Sequence, residues 1–362
     1  MDSLVPRYKY SESWGRTKSY FVKLEAIRHY LMGTRVIVID PQNEYRAITE
    51  SLGGQFINLS SNSKDRINPL EITADVELEE DARSFLSTKI MDVFLIIQVM
   101  LGKDKKLSAN EKRAILYAIQ KMYERFGITD AGYQMNAEDE LVINEEFIMV
   151  GNSSQKMPTL SDLDTSMREI KDSSEIAKEL EPFVNGVMDL FNGETNVDLN
   201  NDFVVFGIRD LEQSMTDLAM FICLEFIWNK IKSGDKKRRL IIVDEAWIML
   251  KNESSGRFLE KVAKTARKFN AGLSIVSQNV RDFMENGGES IISNTSMQIL
   301  LKQNPNELHY LEAVLGITES EKGLLRTAER GEALMYVGQN KTLVKISAND
   351  FEHQLCISGA EE

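Results

Sequence analysis

The sequence predicts an α/β fold with a mostly parallel sheet flanked by helices, and three short apolar runs carry this prediction. Val36–Ile39 and Leu240–Val243 are unbroken and rich in β-branched residues, as expected for strands that helices cover on both faces. Phe56–Leu59 is a third apolar run, after a Gly-Gly turn. Segments with helical spacing separate the runs, so the strands are expected to join through right-handed βαβ units.

Two adjacent carboxylates, Asp244 and Glu245, end the strand predicted at Leu240–Val243. Ligands in open α/β sheets bind at the carboxyl ends of strands. A strand-end Asp can hold Mg²⁺ on a nucleotide, and a following Glu can orient and deprotonate the attacking water. The alternative is structural, because Asp and Glu also favour the first turn of a helix.

The stretch Gly15-Arg16-Thr17-Lys18-Ser19 is the candidate phosphate loop, and the helix predicted over Tyr20–Met32 follows it. In such loops the backbone N–H groups surround phosphate oxygens, a Lys reaches the β- and γ-phosphates, and a Ser binds Mg²⁺. Thr17 stands where a Gly is expected, and no apolar strand precedes the stretch. An ordinary Lys-Ser dipeptide without function therefore remains the alternative.

Two further polar residues complete the predicted site. Gln278 ends the strand predicted at Gly272–Ser277, at the same sheet edge as Glu245, where an amide can sense the γ-phosphate or position water. Arg267 lies on a basic helix around Gly256–Phe269 and could act as an arginine finger across a subunit interface. A loop-facing amide and a solvated arginine are the structural alternatives.

Charge and composition disfavour several classes of protein, including nonspecific DNA-binding, disulfide-rich and membrane-spanning proteins. The net charge of −13 lies in residues 71–200, which hold 26 acids against 13 Lys and Arg, so this region disfavours nonspecific DNA binding. DNA in a local channel stays possible. Two cysteines and three histidines form neither a disulfide framework nor a zinc site, which favours a reducing, cytoplasmic compartment. The longest apolar runs are too short for a membrane span, and no signal peptide is visible.

The chain divides into four predicted segments. Residues 1–7 resemble a protease site from an expression tag, and residues 8–74 form the first part of the sheet domain. Residues 75–198 show helical periodicity and almost no strand signal, with a capping box at Ser108–Glu111, and are predicted to be an all-helical insertion. Residues 199–362 return to strands and complete the sheet domain, ending in a C-terminal tail.

Several motifs together resemble the VirB4-type (TraC/TraE-like) ATPases of type IV secretion and conjugation systems, within the HerA/FtsK-like RecA superfamily. The similarity runs from Lys18 to about Gly338. The motifs are Lys18–Lys23, Val36–Pro41 with Glu44-Tyr45, Ile67–Leu70, Leu240–Trp247, Ser277-Gln278 and Ser293–Thr295.

The resemblance implies a RecA-like P-loop motor domain, interrupted by an all-helical domain, that hydrolyses ATP with Mg²⁺. It implies that Gly15, Thr17, Lys18 and Ser19 contact the nucleotide and that Ser19 and Asp244 bind the metal. Glu245, Gln278 and Arg267 would be catalytic. Expected partners are other secretion components, including the inner-membrane complex, and further copies of the chain in a homo-oligomer such as a hexamer. The full-length protein is expected at the cytoplasmic face of the cell membrane.

Two other functions remain open. A DNA-translocating ATPase of the HerA or coupling-protein type would bind DNA in a salt-dependent manner. A catalytically silent oligomeric scaffold with the motor fold would bind no nucleotide.

Overall fold

The structure is a computed structural model that describes residues 15–72, 85–128, 133–135, 141–143, 156–186, 188–233, 237–278, 280–285 and 288–357. Its strands are β1 (Arg35–Asp40), β2 (Gln55–Asn58), β3 (Tyr133–Met135), β4 (Leu141–Ile143), β5 (Phe203–Gly207), β6 (Arg239–Val243), β7 (Ala271–Ile275), β8 (Met297–Leu300), β9 (Glu332–Val337) and β10 (Asn340–Lys345). Its α-helices are α1 (Gly15–Leu31), α2 (Arg46–Ser51), α3 (Phe85–Met100), α4 (Ala109–Arg125), α5 (Leu160–Arg168), α6 (Lys171–Val184), α7 (Gln213–Ser233), α8 (Trp247–Leu250), α9 (Glu253–Thr265), α10 (Arg281–Glu285), α11 (Glu289–Asn294), α12 (Leu308–Leu315), α13 (Glu319–Thr327) and α14 (Asp350–Ile357).

A five-stranded sheet in the order β2-β5-β1-β6-β7 forms the centre of the described protein. All its strand pairs are parallel, as the three apolar runs predicted. Because β1 lies beside β6, Ile39 pairs with Val243, and the residues that follow both strands come together at the carboxyl edge of the sheet. This edge carries Asp40, Asp244 and Glu245.

Both faces of the sheet are apolar, since alternate residues of each central strand enter different hydrophobic clusters. Ile37, Phe206 and Ile241 contribute to the larger cluster, which includes α3, α7 and α9. Val38, Val205 and Ile242 contribute to the smaller cluster on the opposite face, which includes α1 and the C-terminal helix α14. The helix that carries Lys18 is thereby packed directly on the sheet.

The helices α3 to α6 lie between β2 and β5 in the chain, where the sequence predicted a helical insertion. The predicted capping box is confirmed, because Ser108 Oγ accepts from Glu111 N and Glu111 accepts from Ser108 N. The strands β3 and β4 form an antiparallel pair that was not predicted. The apolar residues of the helices α3 to α6 join the same cluster as the sheet, so these helices share its core. The predicted boundary after residue 74 and the suggested tag remnant at 1–7 lie outside the described residues.

The region after β7 contains a separate three-stranded antiparallel sheet in the order β10-β9-β8. It has its own small apolar cluster with α12 and α13. These strands lie in the segment 199–362, for which strands were predicted, and β10 pairs at the edge of the sheet.

The C-terminal part of the chain, expected to be a tail, instead includes α14, which packs against α1. Arg28 on α1 donates two hydrogen bonds to the Glu352 carboxylate, at 2.8 and 3.0 Å. Tyr20 Oη lies 2.9 Å from His353 Nδ1. The helix α14 therefore anchors α1, the helix that carries the predicted phosphate-binding lysine.

Candidate active site at the carboxyl edge of the sheet

Asp244 and Glu245 follow β6 in a tight turn, and both side chains are buried. Glu245 has a backbone φ of +49°, which is unusual for a residue with a Cβ. The Asp244 carboxylate accepts the Glu245 backbone N–H at 2.8 Å and so stabilises the turn. Backbone strain of this kind concentrates at functional sites, and here it directs the Glu245 carboxylate toward α1.

Lys18 on α1 contacts both acids. Its Nζ lies 2.7 Å from Glu245 Oε1 and 3.4 Å from Asp244 Oδ1. The sequence predicted Lys18, Asp244 and Glu245 as parts of one site, and the structure brings them together. One lysine faces two carboxylates, so these three groups carry a net negative charge that a cation can offset.

Two more donors hold the Glu245 carboxylate. Gln278 Nε2 donates to Oε1 at 2.8 Å, which agrees with its predicted position at the same sheet edge. Trp247 Nε1 donates to Oε2 at 2.6 Å. Trp247 was not predicted as a site residue, although an indole two residues beyond the strand-end Glu was a signal that could have suggested a role.

These contacts separate the proton affinities of the two acids. Burial raises the pKa of Asp244, and the positive charge of Lys18 only partly opposes this effect. Burial also acts to raise the pKa of Glu245, but hydrogen bonds from Lys18 and Gln278 outweigh it and the pKa is lowered. Glu245 is therefore ionised at neutral pH, as a general base must be.

A third carboxylate, Asp40 at the end of β1, borders the same site and was missed as a site residue. It is fully buried and accepts the backbone N–H groups of Gln42, at 3.2 Å, and Tyr45, at 2.8 Å. Burial raises the pKa of Asp40 to about 7, with a smaller contribution from the charge of Asp244. Its position follows from the pairing of β1 with β6, which no local pattern reveals.

The remaining predicted residues lie in two places. Gly15 and Thr17 belong to the first turn of α1, which begins five residues before the helix predicted from Tyr20. Their backbone is therefore helical, where a phosphate loop was expected. Ser19 follows Lys18 in the same helix and is half-buried.

Arg267 does not reach the site within one chain. It is exposed in a 3₁₀ turn that immediately precedes β7, whereas Gln278 follows that strand. Five residues of strand separate the two edges by roughly 17 Å. A contact between Arg267 and a nucleotide therefore requires a second copy of the chain, as the sequence interpretation supposed.

A cleft of about 1160 Å³ opens beside the site, between α1 and β7 on one side and the β8 region on the other. Lys18 and Gln278 line it, together with apolar side chains such as Phe21 and Ile299. Ligand pockets usually measure about 300–1,000 Å³, so the cleft is large enough for a nucleotide.

The donor set also fits a magnesium ion held together with a nucleotide. The described residues contain no group of three or more His, Cys, Asp or Glu arranged to hold a metal by themselves. Mg²⁺ is usually bound by one or two carboxylates together with substrate phosphates and waters. Asp244, beside a single lysine and a second acid, is a suitable carboxylate.

The sequence of residues 11–347 matches the family described as the TraG P-loop domain. The chain belongs to this family. A P-loop domain binds nucleotide phosphates, which agrees with a lysine and two acids at the carboxyl edge of a parallel sheet.

Proteins similar to this chain include a type IV secretion system protein and a plasmid coupling protein. The structure of VirB4 of Thermoanaerobacter pseudethanolicus is similar, with a TM-score of 0.78, 28% identity, and coverage of 94% of this chain and 89% of that one. The type IV secretion system protein CagE of Helicobacter pylori is 20% identical over 278 residues, which are 75% of this chain and 26% of CagE. The plasmid coupling protein TrwB in complex with ADP and Mg²⁺ shares the fold, with a TM-score of 0.55, 12% identity, and coverage of 93% and 84%.

The chain spans about half the length, or less, of the first curated relatives that it matches. In the part of the chain that the structure describes, every helix is too short or too polar to span a membrane.

Proposed function

We propose that this chain is an ATPase motor domain that hydrolyses ATP with Mg²⁺. The observation that carries the proposal is the cluster of Lys18, Asp244, Glu245 and Gln278 at the carboxyl edge of the sheet, with the distances given above. A lysine for phosphate, an acid for metal, an ionised acid for water and a polar sensor are the parts that phosphoryl transfer requires.

Each residue has a distinct role in this proposal. Lys18 contacts the β- and γ-phosphates, and the first-turn N–H groups of α1, including those of Gly15 and Thr17, contribute to the same anion site. Ser19 and Asp244 would hold Mg²⁺, which would offset charge on the phosphates. Glu245 orients and deprotonates the attacking water, and Gln278 senses the γ-phosphate.

Nucleotide binding must change the contacts of Lys18. Its Nζ lies against Glu245 at 2.7 Å, so the phosphates compete with that carboxylate for the lysine. Transfer of Lys18 to the phosphates frees a lone pair of Glu245 for water. The same exchange couples binding to activation of the base.

In the full-length protein, we propose that this activity energises pilus assembly or substrate transfer in a type IV secretion or conjugation system. Support comes from CagE and from virB4 of Bartonella quintana, which are both named type IV secretion system proteins, and from the structural similarity to VirB4. The partners would be other secretion components, including the inner-membrane complex at the cytoplasmic face. A homo-oligomer, such as a hexamer, would bring Arg267 of one copy to the nucleotide of the next.

Calorimetric titration with Mg–ATP tests the binding step. The wild type is expected to bind in the micromolar range, Lys18→Ala at least about tenfold more weakly, because a charge-assisted phosphate contact is lost. Lys112→Ala on the exposed face of α4 removes the same charge far from the site and should bind as the wild type does. Absence of binding by the wild type would instead identify a silent scaffold.

Mixing experiments test the role of Arg267. Arg267→Ala and Glu245→Gln chains should each hydrolyse ATP poorly, yet regain activity when mixed, because one copy supplies the base and its neighbour supplies the arginine. An inactive mixture of two well-folded, oligomeric variants would contradict an arginine finger between subunits.

DNA translocation is the less supported alternative. The basic helix α9 presents few free charges, since Arg257, Lys261 and Lys264 form ion pairs with Glu253, Asp92 and Glu260. We expect only weak DNA binding, measured by fluorescence anisotropy at two salt concentrations. Tight binding with a steep salt dependence would favour the translocase.

A further inference from the structure

Trp247 has an unusual position beside the proposed catalytic base. Its indole Nε1 donates to Glu245 Oε2 at 2.6 Å, whereas Lys18 and Gln278 both donate to Oε1. Trp247 is therefore the donor that fixes the second oxygen of the carboxylate. The established parts of a P-loop site do not require an indole at this place.

The indole is itself held in position. Trp247 begins α8, directly after the turn in which Glu245 adopts its left-handed backbone. Lys251, one helical turn later, places its Nζ 4.0 Å from the centroid of the indole ring, within the range of a cation–π contact. Two neighbours thus restrict the ring: the backbone turn that precedes it and the lysine.

The three hydrogen bonds to Glu245 are expected to change in different ways when a nucleotide binds. Lys18 has a competing partner in the nucleotide phosphates, and Gln278 in the γ-phosphate. Trp247 follows the turn that carries Glu245, and in this proposal it has no competing partner among the phosphates. When the other two donors turn to the nucleotide, the indole N–H is the contact that continues to restrain the carboxylate.

We propose that Trp247 is a positioning residue, which keeps the Glu245 carboxylate aimed at the attacking water after Lys18 has moved to the phosphates. This inference rests on the proposed ATPase function. Trp247 touches neither nucleotide nor water; it acts through Glu245. Because it orients the base only, it should affect the chemical step more than nucleotide binding.

Steady-state kinetics of Trp247→Phe test the proposal. Phenylalanine keeps an aromatic ring for Lys251 but removes the N–H donor. We expect kcat to fall about tenfold, as for loss of a hydrogen bond to a charged group, with KM for ATP changed less than twofold. Tyr117→Phe is the matched control: Tyr117 is exposed on α4 with Lys121 Nζ 5.5 Å from its ring centroid, so the change also keeps a ring beside a lysine and removes a polar donor, and it should leave both constants near the wild-type values.

A double-mutant cycle separates positioning from a general structural effect. In a Glu245→Gln background, Trp247→Phe should lower the residual rate by less than twofold, since the carboxylate that it positions is gone. An equal effect in both backgrounds, or a fall in kcat that follows the loss of folded protein on thermal melting, would overturn the proposal.

The indole N–H resonance gives a readout that does not depend on hydrolysis. Of the three tryptophans, the Trp247 signal is assigned by its loss in Trp247→Phe. Glu245→Gln should shift that resonance upfield while the Trp228 resonance stays in place, because an amide accepts more weakly than a carboxylate. An unmoved Trp247 resonance would overturn the inference even in an active enzyme. If the Trp247 resonance shifts but the wild-type chain has no ATPase activity, the contact exists and the proposed function is overturned. The catalytic role of the contact is then overturned with it.

Discussion

Two lysine–glutamate ion pairs, Lys18–Glu245 and Lys89–Glu225, have the same separation of 2.7 Å between Nζ and Oε1, yet their surroundings differ. The Lys89 side chain is 5% exposed and joins α3 to α7 inside the large apolar cluster. The Lys18 side chain is 15% exposed and borders a cleft. The same kind of ion pair thus occurs twice: Lys89–Glu225 is the sealed pair inside the core, and Lys18–Glu245 is the open pair beside a cleft.

The neighbours of the two pairs explain why only one can act as a site. Lys89 also donates to the backbone carbonyl of Pro69, and Glu225 also accepts from Asn229, so charge and hydrogen bonds are balanced. Lys18 instead faces Asp244 in addition to Glu245 and leaves an uncompensated negative charge. A balanced buried pair stabilises one arrangement of the fold, whereas an unbalanced pair at an open edge favours the entry of another cation.

The largest effect should come from breaking the sealed pair. Lys89→Met leaves the Glu225 carboxylate buried without its cation and should lower the free energy of unfolding by about 3–5 kcal/mol in urea denaturation. The double variant Lys89→Met/Glu225→Leu removes both charges and should recover most of that loss. A double variant no more stable than Lys89→Met would show that packing, not the unpaired charge, causes the loss.

Breaking the open pair from its acid side should affect chemistry while sparing the fold. Glu245→Gln removes the general base and is expected to lower kcat by about 10²–10⁴-fold, with binding of Mg–ATP retained. The exposed Glu212 supplies the control, since Glu212→Gln changes the same charge without contact to the site. Glu245→Gln activity within threefold of the wild type would remove Glu245 from the mechanism.

Asp217 is a half-buried acid that forms no ion pair with a lysine among the described residues, and it sharpens the comparison. Asp217 accepts from the Ser255 hydroxyl at 2.8 Å, and burial raises its pKa to about 7. The unfolded chain releases this proton at lower pH than the folded one, so the contribution of Asp217 to stability is present below about pH 4 and lost as the pH rises toward 7. Asp217→Asn should therefore be more stable than the wild type at pH 8 by on the order of 2 kcal/mol, and equal to it near pH 4. Urea denaturation at the two pH values provides the check, and parallel pH profiles would contradict the assignment.

The smallest effect on folding should come from Lys18→Met. Because this lysine borders an open cleft but leaves two buried carboxylates when it is removed, we expect a loss of about 1–2 kcal/mol in the free energy of unfolding, smaller than that of Lys89→Met. The difference between the losses caused by Lys18→Met and Lys89→Met, measured under identical conditions, shows how burial changes the contribution of a lysine–glutamate ion pair. Equal losses would mean that the open pair is as structural as the sealed one.

The sheet could be predicted from local pattern, whereas the details of the site could not. Both faces of the strands at Val36–Ile39 and Leu240–Val243 are covered, so all their residues are apolar. Such an unbroken apolar run can be recognised from the sequence of that segment alone. The helical extension of α1 to Gly15 and the strand pair β3–β4 were not predicted, since the first has a polar sequence and strands of three residues are too short to show a periodic pattern.

By itself the sequence determined the α/β class, the acids at a strand end and the candidate lysine, because residue type and spacing within a few positions decide these features. Only the tertiary structure decided that Lys18 meets Glu245 across 227 positions of the chain, and that Lys89 meets Glu225 across 136. It also decided the indole contact, which depends on a left-handed backbone at Glu245. The physical reason is that strand order and helix packing set such contacts, and these arise from the whole apolar core rather than from any one stretch of chain.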